Sequence, residues 1–184
     1  TCMWKVLSIH QPPYYTNVNG GSEKFHELIP AAAEAAGIDV VFSGHNHSYA
    51  RIMAKDGAAV TENGVTYFIC GDLGEKSRDI NYAINSDFEY AYAEQKYEGL
   101  ILYVTANDQT MTVSAYDSKD GRLVDSATLQ SRCSKGRQLT TYQNGKSACA
   151  VCGKLIDVKD AQYTGWMTVE GTEQQMYFLA GDYV

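Results

Sequence analysis

The chain has 184 residues, 45% of them hydrophobic and 20% charged, with 14 tyrosines, which excludes a mostly disordered chain and suits one core with a small appendage. A formal net charge of -7 argues against a nucleic-acid backbone as main partner, because that binding draws on clustered cations. An anionic substrate would have to be met by local cations or metal ions.

The first apolar run, Trp4 to Ile9, reads as a buried strand that stops at His10-Gln11-Pro12-Pro13, where the prolines forbid continuation. Tyr14 to Gly21 is a polar loop. Ser22 offers a helix N-cap with Glu23 in the first turn, and Phe25, Leu28, Ile29, Ala32, Ala33 and Ala36 recur at helical spacing. Pro30 is expected to bend or restart this helix, and Gly37 to stop it. Asp39 to Ser43 is a second buried strand, ending at Gly44-His45-Asn46-His47. A third runs from Val65 to Cys70 into Gly71-Asp72-Leu73-Gly74. Residues 75–98 read as a long surface loop. Leu100 to Thr105, Thr110 to Tyr116 and Leu123 to Leu129 alternate well enough to form an antiparallel meander.

Strand–helix–strand crossovers are right-handed and make their strands parallel, so both strands end on one edge of the sheet. That edge is where sites form in open α/β sheets. Three of the four histidines, His10, His45 and His47, are thereby brought to it; the fourth, His26, reads as a solvated helix residue. Imidazole is the commonest protein ligand for borderline transition metals, and Gly44 would let the backbone turn tightly beside the site. Residues two apart in an extended segment point opposite ways, so His45 and His47 suit two metals better than one. Each histidine alone reads more readily as a hydrogen-bonded loop residue than as a ligand; it is the convergence of all three that favours metal.

Ser43 to Arg51 (SGHNHSYAR) resembles the Gly-His-x-His motif of calcineurin-like metallophosphoesterases, and Leu7 to Tyr14 (LSIHQPPY) resembles the motif that precedes it. Their spacing is similar to that of the purple acid phosphatases. So are the Gly64 to Gly71 segment and the closing hairpin formed by Tyr97 to Val104 with Met111 to Asp117. The resemblance runs from residue 3 to about 130. It implies the α+β sandwich of metallo-dependent phosphatases, in part, with His10 and His45 on one metal and His47 on the other. It further implies a pair of transition metals (iron with iron, zinc or manganese) that binds a phosphate ester and activates the attacking water. Tyr49 and Arg51 would either help hold phosphate or serve packing, and Asp72 and Glu75 either support the metals or shape a turn. The family's aspartates and its Gly-Asn-His segment are expected upstream of Thr1, so the 184 residues alone should be poorly active. The loop Thr16 to Gly21 lacks the histidines of plant members, which leaves the general acid unassigned.

Residues 131–184 differ in composition. Residues 1–130 hold 9 Lys+Arg against 17 Asp+Glu, a net -8, whereas the remainder holds 6 against 5, a net +1. We therefore expect a metallophosphoesterase segment over 1–130 and a small β-rich, cysteine-containing tail over 131–184. Cys149-Ala150-Val151-Cys152-Gly153 has the form of half a zinc knuckle, and Cys133 gives a third thiol; a disulfide or free thiols are the alternatives. Tyr163-Thr164-Gly165-Trp166 and Met176 to Gly181 resemble one unit of the β-hairpin repeats of cell-wall-binding proteins. No apolar run reaches the roughly 20 residues of a membrane span. The expected protein is thus a secreted or cell-surface phosphoesterase acting on a phosphate ester, with a wall polymer as a second partner through the tail. Two alternatives stand beside the monoesterase reading: a non-catalytic surface-binding protein that keeps the scaffold, and a diesterase or nucleotidase.

Overall fold

The computed structural model describes residues 3–16, 23–71, 92–94, 99–131, 139–141, 146–149, 155–157, 163–168 and 175–179. The expectations for Asp72, Glu75, Cys133 and Cys152 lie outside them. The chain divides into two compact units, one of Trp4–Val104 with Val113–Ala127, the other of Thr1–Met3, Thr105–Thr112 and Thr128–Val184.

The first unit is built on a mixed sheet. Strand β1 (Val6–Ile9) leads through helix α1 (Glu23–Ala36) to β2 (Val40–Ser43), and β1 and β2 pair in parallel with Ile9 opposite Ser43. The next strand in the chain, β3 (Tyr49–Lys55), turns back into β4 (Ala58–Ala59), and β5 (Val65–Cys70) then inserts between β2 and β3. It runs parallel to β2 and antiparallel to β3, giving the order β1-β2-β5-β3-β4. The short β6 (Tyr92–Glu94) pairs with β3, so part of the segment expected as surface loop is strand.

The centre of this sheet explains itself from sequence. In β5, Val65 through Ile69 are all buried, the continuous apolar run of a strand covered on both faces. Tyr14, Ala33, Val41, Ala50, Ile52, Ala54, Val65, Tyr67 and Ile69 form one core cluster. Each fully buried isoleucine there contributes about 1.5–3 kcal/mol. Phe42 and Phe68, opposite one another in the β2–β5 register, stack with centroids 5.5 Å apart.

Helix α1 is continuous through Pro30, which is buried, so the helix does not restart there. Its inner face also departs from expectation. Pro30 and Ala33 are buried, whereas Leu28 is 64% exposed. The helix ends at Gly37, and the Ile38 amide returns to the Ala33 carbonyl at 2.8 Å.

Strands β7 (Leu100–Ala106), β8 (Thr110–Asp117) and β9 (Leu123–Gln130) form a three-stranded sheet in that order. Their short connections make it the expected antiparallel meander. The tail strands are β10 (Leu139–Thr141), β11 (Lys146–Cys149), β12 (Leu155–Asp157), β13 (Tyr163–Thr168) and β14 (Gln175–Leu179). They form an antiparallel sheet in the order β12-β11-β10-β14-β13, with Trp166 opposite Tyr177 and Cys149 closing β11.

Candidate metal centre

The parallel strands β1, β2 and β5 all end on one edge, and their register decides which residues meet there. Beyond the Ile9–Ser43 pair, the Gly44 amide donates to the His10 carbonyl at 3.1 Å, so the pairing runs one residue past both strands. His10 is exposed at that point, and a cleft of about 680 Å³ lined by Phe42, Cys70 and Leu102 opens beside it. Solvent and small ions therefore have access to its ring.

His45 comes next, on a backbone that sequence did not foretell. It lies in the left-handed region at φ 60, and the Asn46 amide closes a tight turn onto the Gly44 carbonyl at 2.6 Å. This is the rarer, left-handed γ-turn, which costs energy for a residue with a Cβ. A second turn of the same length follows at once, from the Ser48 amide to the Asn46 carbonyl at 2.8 Å. The segment is thus coiled, where an extended one was expected. The left-handed residue is His45, where Gly44 was expected to take the tight conformation.

The consequence is that two rings meet. His45 Nδ1 lies 3.1 Å from His10 Nε2, and the rings stand edge to face, 81° apart, with centroids separated by 5.0 Å. Two imidazole nitrogens bound at about 2.0–2.1 Å to one tetrahedral ion stand about 3.3–3.4 Å apart. In the structure the two nitrogens are hydrogen-bonded to one another, at a separation close to that of two imidazoles on one ion. His47 is half-buried two residues on. Among the described residues, no three His, Cys, Asp or Glu side chains form a metal-holding group.

No family model matches the chain. Over 78 residues, 41% of the chain, it is 33% identical to Purple acid phosphatase 22 of Arabidopsis thaliana. Over 75 residues, 40% of the chain, it is 33% identical to Purple acid phosphatase 21 of the same plant. The fold is also that of the purple acid phosphatase PPD1 from yellow lupin (Lupinus luteus) seeds, with a TM-score of 0.60 over 69% of this chain at 16% identity.

Over about two fifths of its length this chain is similar in sequence to purple acid phosphatases.

The matched stretches amount to only 18% and 17% of the two Arabidopsis phosphatases, and the structural match to 25% of the lupin one. The relationship shown is thus one of a short stretch and of a mixed α/β fold.

Around the histidines, the structure names supports that sequence reading missed. Asn46, between His45 and His47, is fully buried, and its Oδ1 accepts from the Thr16 amide at 2.8 Å and from Thr16 Oγ1 at 3.2 Å. Thr16 Oγ1 also bonds Ser48 Oγ. Gly71, just past β5, presses on this turn: an ideal Cβ there would lie well inside contact distance of the Asn46 carbonyl oxygen and 2.8 Å from its carbon. His26 is half-buried where a solvated residue was expected. Its Nδ1–H donates to the Pro13 carbonyl at 2.8 Å, and its ring meets Tyr14 edge to face at 5.2 Å. Tyr14 in turn packs on Tyr67 at 4.7 Å, and burial, with Glu34 nearby, pushes its phenol up to about 12. The loop after His10 is thereby held on both α1 and the sheet.

Tyr49 and Arg51 share a partner, Asp125 on β9. The buried Tyr49 phenol donates to Asp125 Oδ2 at 2.8 Å. Arg51 donates through Nε to Oδ2 at 2.8 Å and through Nη2 to Oδ1 at 3.2 Å, a two-pronged pair. Burial acts to raise the Asp125 carboxyl, but the bonds from Arg51 and Tyr49 outweigh it and hold the group below the usual carboxylate range. Burial first, then Asp125, raises the Tyr49 phenol.

Proposed function

We propose that this chain contributes the histidine ligands to a two-metal phosphoester hydrolase. The observation that carries the reading is the 3.1 Å approach of His45 Nδ1 to His10 Nε2 at the carboxyl edge of parallel strands. The relationship to purple acid phosphatases supports it from outside the geometry. His10 and His45 would hold one ion and His47 the second, with iron paired with iron, zinc or manganese as the expected metals. Such ions, when bound, bind the phosphate ester, neutralise the charge that develops on its oxygens and activate water. The chain's own residues supply what makes this possible. Two imidazoles converge from different strands, a strained turn aims one of them, and the exposed face of His10 admits substrate. Arg51 and Tyr49 we assign to holding β3 through Asp125, since both prongs of the Arg51 fork are already engaged there. We read the protein as exported and the tail as a separate binding element, its thiols Cys133, Cys149 and Cys152 serving zinc or a disulfide.

A second reading is a non-catalytic binding protein that keeps the scaffold; in its favour, no third ligand joins His10 and His45 among the described residues. Metal content by mass spectrometry on the complete gene product separates the two. Near two metals per chain are expected, with metal and phosphatase activity lost together in His45→Asn and retained in Cys149→Ser. Metal that follows Cys149, with no hydrolysis, would sink the enzyme reading. Profiling mono- and diesters then sorts monoesterase from diesterase or nucleotidase.

A further inference from the structure

The residue between the two histidines is the most heavily engaged polar group on this edge. Asn46 is 0% exposed, yet three of its four polar atoms are committed. Its amide closes the turn that puts His45 at φ 60, and its carbonyl accepts the Ser48 amide that closes the turn around His47. Its side-chain oxygen takes both donors of Thr16, a residue on the loop that follows His10. The fourth atom, Nδ2, is buried with no hydrogen-bond partner among the described residues. Leaving an amide so is unfavourable by about 1–3 kcal/mol, so space filling alone would favour an apolar side chain of similar size.

We propose that Asn46 is a positioning residue: it ties the turn carrying His45 and His47 to the loop carrying His10, and so sets the ring-to-ring geometry on which metal capture depends. This rests on the reading of those histidines as metal ligands, but its geometric half does not. Strand pairing places the His10 and Gly44 backbones side by side; it does not impose the left-handed backbone that turns the His45 ring toward His10. The link to Thr16 opposes relaxation of that turn, because release would leave the Thr16 amide buried without an acceptor.

The test uses the 184-residue chain, Co²⁺ as probe and two readouts. One is the nuclear Overhauser contact between the His10 and His45 rings in metal-free protein. The other is the visible Co²⁺ absorption titrated to an affinity. Asn46→Ala should lose the ring contact and weaken Co²⁺ about tenfold or more, the usual effect of removing a group that orients a ligand. Asn46→Asp, which keeps an acceptor for Thr16, should retain both, and Val113→Ala, a core truncation in β8, should lower stability with neither readout changed. Should Asn46→Ala not fold, Thr16→Val deletes the hydroxyl bonds to Asn46 and Ser48 and should weaken Co²⁺ about threefold with a diminished ring contact. An intact ring contact and unchanged affinity in whichever of these two folds would overturn the proposal. If wild type and His10→Ala bind Co²⁺ alike, the metal reading fails instead, and the ring contact in the Asn46 variant still decides the positioning claim.

Discussion

At the scale of single residues, two glycines near the histidines have opposite standing. A Cβ at Gly44 would find only ordinary contact, nothing closer than 3.9 Å, whereas one at Gly71 would collide with the backbone of Asn46. Gly44→Ala should therefore keep Co²⁺ binding and lose less than about 1 kcal/mol of stability. Gly71→Ala has to push the histidine turn off β5, a steric cost of about 1–3 kcal/mol, and should weaken Co²⁺ binding as well. Chemical denaturation and cobalt titration of the two variants check this; equal behaviour would contradict the packing described. The meeting of His10 and His45 was legible in the sequence, because a crossover places the ends of parallel strands together whatever the side chains. The left-handed turn was not. Gly44 seemed the natural site for it, but histidine is among the few non-glycine residues enriched at positive φ, and that was the signal available. Thr16 and Asn46 carried no sequence mark, since their bond spans 30 positions.

Among elements, β3 was one of the strands, with β4 and β6, that sequence reading passed over. Its signal lay in the turn that follows it. Asp56 and Gly57 both have positive φ, 50 and 78, and join Lys55 to its partner Ala58. Asp-Gly between alternating apolar residues is the strongest short-range mark of such a hairpin. The element has a pH dependence of its own. The Asp125 carboxyl that receives Tyr49 and Arg51 is held below its ordinary value in the folded protein. A depressed carboxyl adds stability that is complete above the unfolded value, near 3.9, and is lost as pH falls through the folded one. Asp125→Asn should therefore flatten the acid limb of stability below about pH 4. Asp125→Ala should cost about 2–3 kcal/mol at neutral pH by leaving Arg51 half-buried and unpaired. Wild type and Asp125→Asn with superimposable acid limbs would remove Asp125 from this role.

For the whole molecule, the two compact units each carry one tryptophan, Trp4 in the first and Trp166 in the second. Single-tryptophan variants can thus follow each unit separately. A metal at His10 and His45 should raise the thermal transition seen by Trp4, by about 2.7 kcal/mol at a hundredfold excess over Kd, and leave that seen by Trp166 in place. Zinc on the tail cysteines would do the reverse. A shift of neither transition by iron, zinc, manganese or cobalt would count against both metal sites.

The left-handed backbone at His45 has one more consequence, for how the protein varies. Glycine and asparagine suit such a backbone better than histidine does, so discarding the imidazole should make the fold slightly easier to build. A library randomised at position 45 and sorted only for yield and heat resistance should drift toward glycine or asparagine. One sorted for cobalt retention should return to histidine. Retention of histidine at this one position would thus indicate that the metal-holding property is under selection.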